Sequence, residues 1–188
     1  MPCTCQSVCQ KPPKRWLITD FGFSTLLYNQ SEEYSNDRRG TEGFRAPELL
    51  EGVDNERPGR ICLGSDIWAI GCILFKLSTT NKRNAFHSDF AVWDYRKTEG
   101  IVPQLNASDN HYLNQEIVFN GVKQPIWVVI NGILGQCFAK NPMARPSARN
   151  LLQNPTKSHW TTLRNQPTQS PKPTNNFSTI TFLVMIHE

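Results

Sequence analysis

This 188-residue chain is short of several features, and each shortage removes a class of protein. No stretch approaches the roughly 20 apolar residues that cross a bilayer. Residues 1–15 also lack the apolar core of a secretion signal. The expectation is an intracellular protein, cytoplasmic or nuclear, with no membrane segment. Six cysteines, at positions 3, 5, 9, 62, 72 and 137, follow no disulfide-framework spacing, so reduced thiols are expected. Cys3, Cys5 and Cys9 have no second ligand pair and no histidine nearby, which argues against zinc. The histidines, His87, His111, His159 and His187, show neither ligand spacing nor a paired nucleophile. Charge is scarce too. The net value is +4, and Lys and Arg are scattered singly or in pairs, so nucleic acid is not an expected partner. No internal repeat is visible, and nothing sets an oligomeric state.

What remains suits one domain: 38% hydrophobic residues with 19% charged can build a single core. Residues 1–15 read as an irregular leader. Trp16-Leu17-Ile18-Thr19 is β-prone and runs into an Asp and a Gly, which predicts a strand entering a tight turn. Asn29 to Gly40 is polar and charged, and predicts a mobile surface loop. Pro47 followed by Glu48-Leu49-Leu50-Glu51-Gly52 predicts a short helix with Pro in its first turn and Gly as its stop. From Ser65 to Leu77, Ile67, Ile70, Gly71, Leu74 and Leu77 recur at helical spacing, and Trp68, Ile73 and Phe75 widen the face. Further helices are expected over Ile126 to Phe138 and after the cap-like Ser147, through Leu151 and Leu152. The stretch between is expected to be helical only in pieces. From about residue 154 the chain turns to Ser, Thr, Asn, Gln, Pro and Lys, a composition that predicts a disordered tail. Its apolar end, Phe182 to Ile186, reads as an aggregation-prone tip or a partner-binding strand.

Chemistry concentrates in four signals that occur in order. Asp20-Phe21-Gly22 follows the β-prone run, and Ala46-Pro47-Glu48 comes after it, preceded by Gly40-Thr41. Asp66-Ile67-Trp68-Ala69-Ile70-Gly71 opens the longest predicted helix, and Arg145-Pro146 lies near the end of the foldable part. Asp-Phe-Gly alone is weak evidence, and an Asp capping a turn beside a core Phe explains it as well. As an ordered set, the four resemble the protein kinase family over about residues 16–153.

The resemblance implies a mainly α fold: a helical kinase C-lobe with a short strand before the Asp-Phe-Gly turn, and no N-lobe. It divides the chain into a leader (1–15), a partial kinase domain (16–153) and a disordered tail (154–188). Within the domain, the activation segment is 20–48 and the helical C-lobe 49–153. The implied function is phosphoryl transfer from ATP to Ser or Thr of a protein substrate, with ATP and magnesium as cofactors. Asp20 resembles the carboxylate that holds magnesium, Phe21 the ring packed beneath it, and Gly22 the residue that frees the turn. Thr41 matches the threonine that contacts the catalytic loop beneath the substrate hydroxyl in Ser/Thr kinases. Phe44 stands where the family more often has Tyr. Glu48 and Arg145 resemble a buried bidentate ion pair of structural role. Asp66 resembles a helix-start carboxylate, for which a plain N-terminal cap is the simpler reading; Trp68 belongs to the same structural group. Ser24, Thr25, Tyr28, Ser31, Tyr34 and Ser35 are candidate phosphosites, with Ser31, Tyr34 and Ser35 in the polar loop foremost.

In the family a glycine-rich loop, a strand lysine, a helix glutamate and a His-Arg-Asp catalytic loop with its Asn precede the Asp-Phe-Gly turn. Only 19 residues precede Asp20, and the positions roughly 18 and 13 before it, near Pro2 and Ser7, match neither the catalytic Asp nor the Asn. The chain is therefore expected to be a C-lobe fragment, inactive alone. A second reading is a non-catalytic, pseudokinase-like binding module.

Overall fold

The computed structural model describes residues 21–27, 31–51, 58–98, 100–153 and 179–181. Trp16 to Asp20, Tyr28, Cys3, Cys5, Cys9 and Gly52 lie outside the described residues.

The fold is organised around helix α1, Leu63–Ser78. It begins two residues earlier than the apolar periodicity indicates, because Cys62 and Ser65 form a reciprocal capping box that satisfies first-turn donors. Its core face also differs from the expected one. Trp68, Gly71, Cys72 and Phe75 are buried, whereas Ile70 and Leu77 are 38% and 56% exposed. The aromatic side chains decide the orientation. Trp68 stacks on Phe86 at 5.1 Å between centroids and meets Phe138 edge-on at 5.0 Å. Tyr95 tilts against it at 5.9 Å, so the largest apolar surfaces of several elements converge on one ring.

Three further helices accompany α1 among the described residues: α2 (Asp89–Lys97), α3 (Ile126–Cys137) and α4 (Ala148–Gln153). The sequence indicates α3 and α4 directly, and Ser147 Oγ accepts from Asn150 N–H at 3.1 Å as the cap of α4. Helix α2 is one of the expected helical pieces, capped by Ser88. Pro47–Leu50 forms a short 3₁₀ helix with Pro47 in its first turn, and the expected stop at Gly52 lies outside the described residues. Gly71 lets α3 close on α1, since a Cβ there would lie 2.7 Å from Cys137 Cβ.

A mainly α description is too narrow. The described residues also form three two-stranded antiparallel sheets: β1 (Thr25–Leu27) with β6 (Thr179–Thr181), β2 (Glu32–Ser35) with β3 (Gly59–Cys62), and β4 (Glu116–Phe119) with β5 (Val122–Pro125). The supposed mobile loop thus contains a strand. Its polar side chains bury little, but pairing with β3 satisfies its backbone, and the Glu32–Arg60 ion pair at 3.1 Å crosses the ribbon. The β4–β5 hairpin turns at Asn120 and Gly121, both with positive φ (52° and 78°), as a tight hairpin turn requires. Thr179-Ile180-Thr181, inside the segment expected to be disordered, is β-branched throughout and pairs with β1.

Candidate functional site

The stretch from Phe21 to Glu48 carries most of the site residues, and its two ends are held differently. At its start, Ser24 N–H donates to the Phe21 carbonyl at 3.0 Å, closing a turn. Phe21 is 54% exposed and is not part of the aromatic core around Trp68; the expected packing of its ring beneath Asp20 involves a residue outside the described ones. Asp20 lies outside the described residues, and among those residues no group of three or more His, Cys, Asp and Glu could hold a metal ion.

At its end, Glu48 is 1% exposed and bound on both oxygens. Arg145 Nη1 donates to Oε1 at 2.7 Å and Nη2 to Oε2 at 2.9 Å, a bidentate pair joining residues 97 apart. Ser65 Oγ adds a 2.7 Å bond to Oε1. Two further Arg145 N–H groups reach the Gly64 carbonyl (2.9 Å) and the Ala139 carbonyl (2.8 Å), and the guanidinium lies 5.1 Å from the Trp68 ring. Cys62 also faces Glu48, with Sγ 3.7 Å from Oε1; burial pushes its thiol up, so it stays protonated. Two charges that would be costly alone are here paired with each other and further hydrogen-bonded. Sequence reasoning paired Glu48 with Arg145 but missed Ser65 and Cys62.

Thr41 sits between these ends, half-buried, in a turn closed by Phe44 N–H to the Thr41 carbonyl at 3.1 Å. Thr41 and Asp66 line one small crevice with Gly40, Phe44, Arg45 and Ser65. Asp66 lies in the first turn of α1 but is not its cap, a position Cys62 holds. Phe44 is buried, with the Lys76 ammonium 5.6 Å from its ring centroid. Arg45 and Asp89, which the sequence did not single out, form an ion pair at 2.5 Å beside this turn.

The candidate phosphosites separate by exposure. Thr25 is buried and accepts from Arg39 Nη1, which does not suit a modifying enzyme. Ser24 is half-buried. Ser31 is exposed; Tyr34 is 55% exposed, with its hydroxyl on Glu32; Ser35 is half-buried and accepts from Asp37 N–H at 3.2 Å. The Tyr34 hydroxyl is pushed up by its hydrogen bond to Glu32 and by that carboxylate's charge.

The profile of the Protein kinase domain family matches residues 10–156. The chain belongs to the protein kinase domain family. It is similar to serine/threonine-protein kinase Nek11 of Homo sapiens, 30% identical over 140 residues covering 73% of this chain and 18% of that protein. Serine/threonine-protein kinase MPS1 of Encephalitozoon cuniculi is 24% identical over 139 residues, covering 73% of this chain and 20% of its own. MAP3K epsilon protein kinase 1 of Arabidopsis thaliana is 26% identical over 138 residues, 73% of this chain and 8% of that one. The chain thus spans a fifth or less of these relatives' length. No helix among the described residues of this kinase-family chain is long and apolar enough to cross a membrane.

Proposed function

We propose that this chain supplies the substrate-binding C-lobe of a protein kinase that moves the γ-phosphoryl group of ATP to Ser or Thr hydroxyls of proteins. The observation that carries the reading is the anchoring of the Thr41 loop: it leads directly into Glu48, which Arg145 and Ser65 hold rigidly against α1. Phosphoryl transfer depends on positioning more than on covalent chemistry by the protein, so a loop fixed at its far end suits the task. Thr41 presents a hydroxyl and half-buried backbone in a crevice shared with Asp66, the place the family reading gives to the substrate hydroxyl's neighbour. Nek11 and MPS1 are both named serine/threonine-protein kinases, which supports the choice of acceptor. Magnesium, when bound, offsets the charge of the nucleotide's phosphates, and Asp20 is the residue that would hold it. Among the described candidate phosphosites of the activation segment, Ser31 and Tyr34 are the exposed hydroxyls and the ones a modifying kinase would reach most readily.

The test is γ-phosphate transfer from magnesium-ATP by the full-length protein and its Asp20→Asn variant. Transfer by the wild type, lost in a folded variant, supports the reading. Partner binding without transfer by the wild type would replace it with a non-catalytic module.

A further inference from the structure

Asp89 opens helix α2, yet its carboxylate does not serve that helix. Ser88 Oγ is the cap, accepting from Ala91 N–H at 3.2 Å. Both Asp89 oxygens instead reach across 44 to 46 residues of sequence to the Thr41 loop. Oδ1 accepts from Gly43 N–H at 3.0 Å, and Oδ2 accepts from Arg45 Nη1 at 2.5 Å. The ion pair is largely shielded, with side-chain exposures of 15% for Arg45 and 19% for Asp89. Arg45 in turn closes the loop on itself, because its Nε–H donates to the Arg39 carbonyl at 3.1 Å.

Gly43 is held on every side. Its carbonyl accepts from Cys72 Sγ of α1 at 3.8 Å, and burial pushes that thiol far up, so it keeps the proton it donates. Its φ is +75°, and a Cβ would lie 2.7 Å from the Phe86 carbonyl oxygen. Gly43 is therefore required both for its left-handed conformation and for the close approach of Phe86. One neighbouring peptide group is fastened to α1 and the other to α2, so the turn that begins at Thr41 has its geometry set from outside the loop.

We propose that Asp89 is a positioning residue for phosphoryl transfer, holding the Gly40–Arg45 loop in its substrate-ready form through Gly43 and Arg45. This rests on the reading of the Thr41 loop as the part that contacts substrate. The two contacts separate by mutation. Asp89→Asn keeps an oxygen for Gly43 and removes the charge facing Arg45; Asp89→Ala removes both.

The experiment is steady-state kinetics on the full-length protein and both variants, together with hydrogen exchange at the Gly43 amide. Losing one charge-assisted bond should raise KM for the protein substrate about ten-fold in Asp89→Asn, with kcat and KM for ATP within about two-fold of wild type. Asp89→Ala should raise it further and also speed Gly43 exchange at least about ten-fold, while Asp89→Asn leaves that exchange near wild type. Unchanged substrate KM and Gly43 exchange in Asp89→Ala would overturn the proposal, as would equal losses in kcat, KM for ATP and global exchange protection. A wild type that transfers no phosphate overturns the kinase reading instead, and Gly43 exchange then decides the clamp by itself.

Discussion

Replacing Glu48 by Ala should destabilise α1 more than any single loss on the surface. Arg145 would keep its bonds to the Gly64 and Ala139 carbonyls but lose both bonds to carboxylate, at a side chain that is fully enclosed. A buried cation left without its partner costs about 3–5 kcal/mol, far above the roughly 0–1 kcal/mol typical of ion pairs on a protein surface. Since each 1.4 kcal/mol is tenfold, hydrogen-exchange protection of α1 amides in the full-length protein should fall by roughly two to three and a half decades. A control separates the ion pair from its surroundings: replacing both Glu48 and Arg145 with apolar residues of similar size should cost less than Glu48→Ala alone. Protection in Glu48→Ala within about threefold of wild type, or a double variant worse than the sum of the singles, would refute the argument.

Gly71→Ala should destabilise the α1–α3 contact by about 1–3 kcal/mol, because its Cβ would meet Cys137 Cβ at 2.7 Å and Phe138 Cε1 at 2.9 Å in a packed core; an unchanged midpoint of thermal unfolding would contradict this. Stability should also fall at alkaline pH through Cys137, whose thiol burial pushes up from 9.0 to about 11. The unfolded chain releases this proton first, so the contribution is complete below about pH 9 and is lost as pH rises to about 11. Unfolding free energies over that range should decline less steeply in Cys137→Ala, each protein referenced to its own value at pH 8; identical slopes would contradict the assignment.

How much of this was readable in the sequence depends on the distance between partners. Helices α1, α3 and α4 announce themselves because their apolar residues recur locally. Even so, the core face of α1 is misread when counted residue by residue: Ile70 and Leu77 fit the period, but Trp68 and its aromatic neighbours set the rotation. Strand β2 is hidden by its charges, since the pairing that orders it comes from Gly59–Cys62 rather than from its own composition. The β4–β5 hairpin was open to detection in part, because Asn120-Gly121, a preferred two-residue hairpin turn, directly follows the β-prone Ile117-Val118-Phe119, although Val122-Lys123-Gln124-Pro125 gives little strand signal of its own. Glu48 and Arg145 are 97 residues apart, and only the likeness to kinases joins them in advance. Asp89 has no such guide. Its partners Gly43 and Arg45 lie in a loop far away in sequence, and an Asp at a helix start reads as ordinary dipole chemistry, whereas in the fold both its oxygens point to that loop.

The most direct measurement of the central claim is to incubate the full-length protein with magnesium-ATP and protein substrate, then identify which amino acids carry the transferred phosphate. The account predicts phosphoserine and phosphothreonine with the wild type and none with Asp20→Asn. Phosphate on tyrosine alone, or no transfer by a folded wild-type protein, would contradict it.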